Sequence, residues 1–339
     1  MDNSNQFATL HENEAARTLN VSDLAGGFAA QITDLGLIAL TGDDAASFLH
    51  KQLTNDVEHL STTEARLAGY CSPKGRLMAT FLMWRNADAI FLQLPRALQA
   101  ALQKRLQMFV MRAKATLSDA GAEHVVVGLG GARAGAVLAT WFDALPGSPY
   151  ARLDHSMGTL IRVADAFGIA RYLWLASPET AAAVWPALAA ALACGGNDAW
   201  NLSQVHAGVP QIEAATQEQF VPQMVNFELL GGVNFKKGCY PGQEIVARSQ
   251  YLGKLKRRTT LVSIAGPEAK AGDEVFAASD PQQPCGMVVN AAPNGAGGVD
   301  ALVEMKLAAL EEGAVRLGAP DGPALQFLAM PYALDALEL

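Results

Sequence analysis

The stretch LGLIALTGDDAASFLHKQL, residues 35–53, decides the fold class of this chain. Its first part, LGLIALTG, is an apolar run of strand length that ends in a glycine. Its second part, DDAASFLHKQL, has the apolar spacing of a helix, with Thr41 or Gly42 near its cap. A strand that leads directly into a helix predicts a mixed α and β architecture.

The same pattern continues on the C-terminal side. Three strands are predicted over residues 66–71, 77–84 and 89–94, because the turn sequences SPKGR and RNAD separate them. Pro95 occupies a favourable first position for a helix that runs to about Arg112. A similar order of elements recurs from Val125 to a helix opened by Ser177. The interpretation is a duplicated α+β region, although its halves share no obvious residue identity.

The last quarter of the chain has a different pattern. Beyond Gly253 the apolar segments are short and are separated by Gly and Pro, which is typical of a small β-barrel. The sequence therefore predicts an α+β fold in four parts. These are a disordered segment over residues 1–25, α+β subdomains over 26–120 and 121–252, and a C-terminal β-barrel over 253–339.

Composition excludes several classes of protein. Of its 339 residues, 50% are hydrophobic and 17% are charged, so the chain is not intrinsically disordered. Its length is too great for one compact hydrophobic core and fits two or three domains. The longest apolar stretch, residues 181–193, is too short to span a membrane. The N-terminus lacks the basic start and apolar core of a secretory signal. We expect a cytoplasmic protein without a membrane partner.

Cysteine and histidine spacing argues against a resident metal site. The four cysteines include no C-x-x-C pair, and the six histidines include no H-x-x-x-H or H-E-x-x-H pattern. We therefore expect reduced thiols. The glycine-rich segment GLGGARAG, residues 128–135, also fails as a dinucleotide-binding turn because Arg133 stands where the third glycine is needed.

Charge is unevenly distributed. The net charge is −8, but residues 236–258 contain seven cations and one anion, which makes +6 there and −14 elsewhere. This asymmetry favours a small anionic ligand at one place, and a solvated charged loop is the alternative. Direct nucleic-acid binding through Lys254, Lys256, Arg257 and Arg258 ranks lowest, because the rest of the chain repels phosphates.

The segment KKGCYPGQEIVAR, residues 236–248, lies within this cationic stretch and is the predicted functional centre. Gly238 and Gly242 bracket Cys239 and allow close backbone approach. Lys236 and Lys237 precede the thiol and favour its thiolate form, and a helix is predicted from Pro241 toward Tyr251. We interpret Cys239 as a reactive thiol; a buried structural cysteine is the alternative.

This segment closely resembles the K-G-C-Y-x-G-Q-E signature of the YgfZ-type folate-binding proteins, which are relatives of the glycine-cleavage aminomethyltransferase. Residues 42–57, 72–78 and 219–235 also resemble that family, so recognisable blocks cover roughly residues 34–258. The resemblance implies two α+β subdomains and a C-terminal barrel around a tetrahydrofolate site. It also implies a role in supporting iron–sulfur proteins, particularly a radical enzyme that thiomethylates tRNA.

The resemblance suggests roles for individual residues. Cys239 is the candidate transient iron ligand, acceptor or exchange nucleophile, with Lys236 and Lys237 assisting its ionisation. Trp200 matches a tryptophan thought to contact folate in the family. The candidate folate-binding and loop-fixing residues are Trp200, Tyr240, Gln243, Glu244 and Arg248.

Four positions depart from the family and its relatives. Leu35 replaces a second family tryptophan, and His206 replaces a common acidic residue. Ala79 and Thr80 stand where the glycine-cleavage enzymes place an aspartate next to the reacting folate nitrogen, and neither can serve as a carboxylate acid or base. These substitutions favour a folate-binding accessory protein for iron–sulfur clients. The alternative is a folate-dependent aminomethyl or one-carbon transferase.

Overall fold

The computed structural model describes residues 17–252, 255–266 and 268–334. Within these residues the chain forms two units, each built from separate segments. Unit 1 contains residues 17–49, 57–66 and 81–203, and unit 2 contains residues 50–56, 67–80 and 204–334. Both predicted α+β subdomains contribute to unit 1, and the predicted domain boundaries stay a prediction. Of the segment predicted to be disordered, residues 1–16 lie outside the described residues.

The described helices begin at clear local signals. Asn20 caps the first helix through a reciprocal pair of hydrogen bonds with Asp23, and this helix occupies residues assigned to the disordered segment. Ser177 caps the helix that Pro178 begins, as the sequence predicts. No described helix is both long and apolar enough to cross a bilayer. The helices are α1 (Val21–Gly26), α2 (Ala45–His50), α3 (Arg96–Val110), α4 (Ala134–Leu138), α5 (Pro178–Ala191), α6 (Asn197–His206), α7 (Gln243–Tyr251) and α8 (Leu307–Glu312).

The described strands form three sheets. The strands predicted at residues 66–71, 77–84 and 89–94 are all present, with ends that differ by one residue. The strands are β1 (Phe28–Ile32), β2 (Leu35–Thr41), β3 (Ala65–Cys71), β4 (Leu77–Arg85), β5 (Ile90–Pro95), β6 (Thr116–Asp119), β7 (Val125–Gly130), β8 (Arg152–His155), β9 (Gly158–Ala166), β10 (Ile169–Ala176), β11 (Ala193–Gly195), β12 (Arg257–Ala265), β13 (Glu274–Ala277), β14 (Asp280–Pro293), β15 (Gly298–Lys306), β16 (Val315–Leu317) and β17 (Leu325–Leu328).

Two of the sheets share a strand order. One has the order β3-β4-β5-β2-β6, and the other has β8-β9-β10-β7-β1-β11, which is the same arrangement with β1 inserted. The second sheet packs against α5 over a core that includes Trp174, Trp185 and Phe142. The α+β class is therefore confirmed. The shared strand order is consistent with duplication, which stays a prediction.

The third sheet lies in unit 2 and has the order β16-β13-β14-β15-β12-β17. Its buried aliphatic residues include Val262, Val288 and Val303. An isolated bridge joins Arg316 of one edge strand to Ala324, immediately before the other edge strand, so the sheet curls into a half-barrel. The short apolar segments that predicted a barrel correspond to β12–β16; they are TTLVSIAG, DEVFAAS, CGMVVNAA, GVDALVEM and AVRL. Strand β17 and the intervening helix α8 were not predicted.

Candidate functional site

Cys239 is the exposed thiol of the described chain. It lies in the loop that precedes α7, whereas the other three cysteines are buried. Burial raises the pKa of the Cys71 thiol to about 12, which keeps that group protonated at neutral pH. Reagents in solution therefore reach Cys239 in preference to the other thiols.

The two lysines before this thiol have different surroundings. The Lys237 ammonium donates hydrogen bonds to the carbonyl oxygens of His50 and Leu53, the latter at 2.8 Å. It also lies 4.9 Å from the ring centroid of Tyr240. Lys236 is exposed. Lys237 thus ties the Cys239 loop to residues 50–53, while the proposed influence of both lysines on the thiol stays a prediction.

A second attachment joins the loop to the SPKG turn. Gly242 has a φ of +78°, and a Cβ there would lie 2.4 Å from the Ser72 carbonyl oxygen and 2.6 Å from the Gly75 Cα. The Gly75 amide donates to the same Ser72 oxygen at 2.9 Å. Only glycine at position 242 permits this backbone contact without displacement. Two segments that the sequence singled out separately therefore pack together.

The segment of residues 50–56, to which Lys237 bonds, also contacts Gly231 and Gly232. Thr54 donates to the Gly232 carbonyl oxygen at 2.6 Å, and the Asn55 amide donates to that of Gly231 at 2.7 Å. His50 Nδ1 lies 3.1 Å from the Asp56 carboxylate. Sequence reasoning missed His50 and Asp56. The one available signal was their position in the block of residues 42–57.

The remaining candidates in this segment have distinct environments. Tyr240 is buried, and burial together with nearby Cys71 raises the pKa of its phenol. Gln243 is half-buried at the start of α7, where its backbone N–H donates to the Tyr240 carbonyl oxygen at 3.2 Å. Glu244 and Arg248 are exposed, and neither has an ion-pair partner among the described residues. Tyr240 therefore anchors the loop, and the other three side chains border it.

Trp200 lies in unit 1, on α6, and is only 2% exposed. The guanidinium carbon of Arg171 lies 4.9 Å from its ring centroid. A Cβ at Gly128 would lie 2.2 Å from the indole, so the glycine makes room for the ring. Burial lowers the pKa of Arg171 to about 9. Stacking of a ligand on this indole therefore requires a rearrangement of its neighbours.

Leu35 borders a cavity of about 280 Å³ in unit 1. Gln31, Gln93 and Arg96 also line it, and the Nε2 atom of buried Gln93 has no hydrogen-bond partner among the described residues. Arg96 donates to the Thr33 carbonyl oxygen at 3.1 Å and to that of Leu35 at 3.0 Å. The position of the replaced family tryptophan thus adjoins an unsatisfied amide donor.

The described residues contain no group of three or more His, Cys, Asp or Glu side chains arranged to hold a metal ion. The role of Cys239 as a transient iron ligand stays a prediction.

Comparison with known proteins identifies the family. No family model matches the chain. The tRNA-modifying protein YgfZ of Shigella sonnei (strain Ss046) is 30% identical over 232 residues, which cover 68% of this chain and 70% of that protein. The chain belongs to the YgfZ family. The resemblance inferred from the Cys239 segment is thereby confirmed.

A solved structure supports the fold. The glycine cleavage system aminomethyltransferase T of Bartonella henselae superposes with a TM-score of 0.76 over 96% of each chain, at 17% sequence identity. At this identity the likeness concerns the fold alone. It confirms that this YgfZ family member has the mixed α+β architecture of aminomethyltransferase T.

Three of the positions that depart from the family pattern, Ala79, Thr80 and His206, pack within this protein, and the polar groups of the last two have hydrogen-bond partners. Ala79 and Thr80 are buried, and the Thr80 hydroxyl accepts a hydrogen bond from the Ile212 amide at 3.0 Å. The His206 Nε2 atom lies 2.7 Å from the buried Asp300 carboxylate. His206 therefore has a carboxylate partner from β15 instead of being a carboxylate itself.

The Asp300 pair leads to a prediction about acid stability. Burial alone would raise the pKa of Asp300, but hydrogen bonds from His206, Asn294 and Ser263 outweigh it and lower the pKa below the ordinary 3.8. The unfolded state then binds more protons, so this stability is present above the ordinary pKa and is lost as pH falls through the folded value. We expect Asp300→Asn to make the decline of the urea midpoint below about pH 5 shallower.

The exposed Asp88 provides the matched control, since Asp88→Asn should leave the wild-type slope unchanged. If the urea midpoints of wild type and Asp300→Asn decline in parallel as pH falls, the Asp300 carboxylate does not contribute the pH-dependent stability.

The predicted cationic patch is smaller than its sequence suggests. Arg257 forms an ion pair with Glu304, whose carboxylate its Nη2 reaches at 2.9 Å. Arg258 is buried and its Nη1 lies 2.6 Å from the Glu228 carboxylate. Both acids lie outside residues 236–258, so they escaped the local charge count. Lys254 lies outside the described residues.

Proposed function

We propose that the protein is a tetrahydrofolate-binding accessory factor that supports the assembly or repair of iron–sulfur proteins and thereby affects tRNA modification. The observation that carries the proposal is the exposed Cys239 on a loop attached to two other segments. Such attachment fixes the backbone around a thiol that remains open to solvent and to a partner. A buried structural cysteine would have the opposite properties.

The chemistry of a thiol matches this task. A thiolate binds iron, and it also attacks disulfides and other soft electrophiles. In this proposal Cys239 acts together with groups supplied by a client protein. The expected clients are iron–sulfur enzymes, including a radical enzyme that thiomethylates tRNA.

The cavity beside Leu35 in unit 1 is the proposed site of the folate ring. Its volume of about 280 Å³ lies near the lower limit of small-molecule pockets, which span about 300–1,000 Å³. The free Nε2 donor of Gln93 fits a ring carbonyl or nitrogen acceptor, and Gln31 adds a second amide. Trp200 is covered by protein, so the cavity is the better candidate for the ring.

Calorimetry with tetrahydrofolate tests the cofactor. We expect wild-type protein to bind it and Gln93→Leu to bind about 3–10-fold more weakly, the loss expected for one hydrogen bond. Gln107→Leu, on an exposed position of α3, is the matched control. An absence of binding heat with wild type at millimolar concentration would remove folate from the proposal.

A deletion strain tests the accessory role. Complementation with wild type should restore thiomethylated tRNA nucleosides, whereas Cys239→Ser should not, at equal protein levels. Cys285→Ser removes a buried thiol and should complement. Full restoration by Cys239→Ser would refute the central role of this residue.

The competing function is aminomethyl or one-carbon transfer, which the fold shared with aminomethyltransferase T favours. Ala79 and the hydrogen-bonded Thr80 supply no acid for that chemistry. We expect purified protein to release no ammonia from an aminomethyl donor in the presence of tetrahydrofolate. Catalytic turnover in this assay would make the transferase the better assignment.

A further inference from the structure

One face of helix α7 is open to solvent although it carries large apolar side chains. Ile245, Tyr251 and Leu252 are 40%, 68% and 82% exposed. At 3.6 residues per turn, these three side chains and those of Glu244 and Arg248 project within an arc of roughly 120° on the outer side of the helix. Exposed apolar side chains that cluster on one face are typical of an interaction surface, whereas single ones are ordinary.

Both ends of this face are held in place by neighbouring segments of unit 2. A Cβ added at Gly75 would lie 2.8 Å from the Ile245 Cβ and 3.1 Å from the Gly242 carbonyl oxygen, so Ile245 and the Cys239 loop meet at the SPKG turn. At the other end, the Tyr251 ring packs edge-on against Phe235, with 5.7 Å between the ring centroids. The face is therefore fixed in position and continuous with the Cys239 loop.

Cations surround the apolar side chains. Arg248 lies in the middle of the face, Lys74 lies in the SPKG turn under Ile245, and Lys236 follows Phe235, which contacts Tyr251. Lys256 lies four residues beyond Leu252. All four cations are exposed, and none of them has an ion-pair partner among the described residues. We call the set of Lys74, Lys236, Glu244, Ile245, Arg248, Tyr251, Leu252 and Lys256 the α7 surface.

We propose that the α7 surface docks an acidic protein segment that carries apolar side chains. The apolar side chains of the segment pack on Ile245, Tyr251 and Leu252, and its carboxylates face the surrounding cations. Because the loop of Cys239 leads directly into α7, the docked segment lies beside the exposed thiol. The proposal deepens the proposed function, on which it rests for the identification of the segment as part of an iron–sulfur client.

Charge and composition favour this occupant over two others. Four exposed cations accompany one exposed anion, Glu244, on a protein whose net charge is −8. A second copy that used the same face in a two-fold contact would bring like charges together. A nucleic acid would gain from the cations but not from the aliphatic side chains of Ile245 and Leu252. Apolar and aromatic side chains combined with arginine are typical of protein–protein interfaces.

Fluorescence anisotropy with two labelled synthetic peptides and full-length protein tests the proposal. The acidic peptide is an amphipathic helix with Leu and Phe on one face and Glu elsewhere, and the basic peptide has Lys in place of each Glu. We expect the acidic peptide to bind and to lose affinity about tenfold as ionic strength rises from about 0.05 to about 0.5 M. The basic peptide should not bind. Bound acidic peptide should slow the alkylation of Cys239 by iodoacetamide, which peptide mass spectrometry follows.

Two surface substitutions examine the apolar and the charged contributions separately. Leu252→Ser and Arg248→Glu should each weaken binding of the acidic peptide about tenfold. The matched controls lie on α3 in unit 1, where Met108 is 63% exposed and Lys104 is also exposed. Met108→Ser and Lys104→Glu should therefore retain the wild-type affinity.

Several results would overturn the proposal. These are an absence of binding by wild type, equal affinity for the two peptides, unchanged affinity in Leu252→Ser and Arg248→Glu, and binding that leaves the alkylation of Cys239 unchanged. Tighter binding of a single-stranded RNA oligonucleotide, lost in Arg248→Glu but retained in Leu252→Ser, would assign the surface to nucleic acid instead. The peptide assay contains neither folate nor tRNA, so its failure is distinguishable from failure of the calorimetry or of the complementation.

Discussion

Replacement of Glu228 by glutamine is expected to destabilise the protein by about 3–5 kcal/mol. Glu228 and Arg258 are 3% and 4% exposed and lie 2.6 Å apart. Burial raises the pKa of Glu228 and Arg258 opposes that rise, so the acid depends on its partner. Removal of the carboxylate leaves a buried guanidinium without a counter-charge, which is far less favourable than the loss of an exposed pair.

Urea denaturation at pH 7 measures this effect. The control is Asp43→Asn, because Asp43 pairs with Lys114 at side-chain exposures of 83% and 77% and should contribute less than about 1 kcal/mol. The double variant Glu228→Leu, Arg258→Met removes both charges and should be more stable than Glu228→Gln alone. A single variant as stable as wild type would show that solvent reaches Arg258.

Gly242→Ala is expected to destabilise the Cys239 loop by about 3 kcal/mol, from backbone strain and overpacking together. Its φ of +78° disfavours any residue with a Cβ, and that Cβ would lie 2.4 Å from the Ser72 carbonyl oxygen. Relief of the clash requires the SPKG turn to move away. We therefore expect a lower melting temperature and an altered rate of Cys239 alkylation in the same variant.

Gly266→Ala separates the two contributions. Gly266 has a φ of +96°, but a Cβ there would meet no atom of the described residues within 4 Å, so only the strain of about 1–2 kcal/mol remains. The alkylation rate of Cys239 should not change in this control. Equal effects of the two substitutions would show that the contact of Gly242 with Ser72 contributes nothing.

Local signals explain where sequence reasoning about the fold succeeded. Ser177 followed by Pro178 carries both a cap and a preset φ, so the start of α5 followed from adjacent residues. The strands separated by SPKGR and RNAD were correct for the same reason. The short strand β17 was missed because its pairing partner, β12, lies about sixty residues earlier in the chain.

The same distinction applies to the site. The exposed cysteine, its bracketing glycines and the family followed from residues 236–248, because the motif is contiguous. The charge count over residues 236–258 could not show that Arg257 and Arg258 have acidic partners, since Glu304 and Glu228 lie outside that range. A net charge counted over a sequence segment describes the surface charge only where the ion-pair partners of its residues lie in the same segment.

The sequence by itself determined the α+β class and the family, since each depends on neighbouring residues or on a continuous motif. Only the tertiary structure decided that Lys237 bonds the carbonyl oxygens of residues 50 and 53, that Trp200 is buried, and that His50 faces Gly238. His50 and Gly238 are 188 residues apart in the chain. Such contacts depend on how several segments pack at once, which no local propensity or spacing encodes.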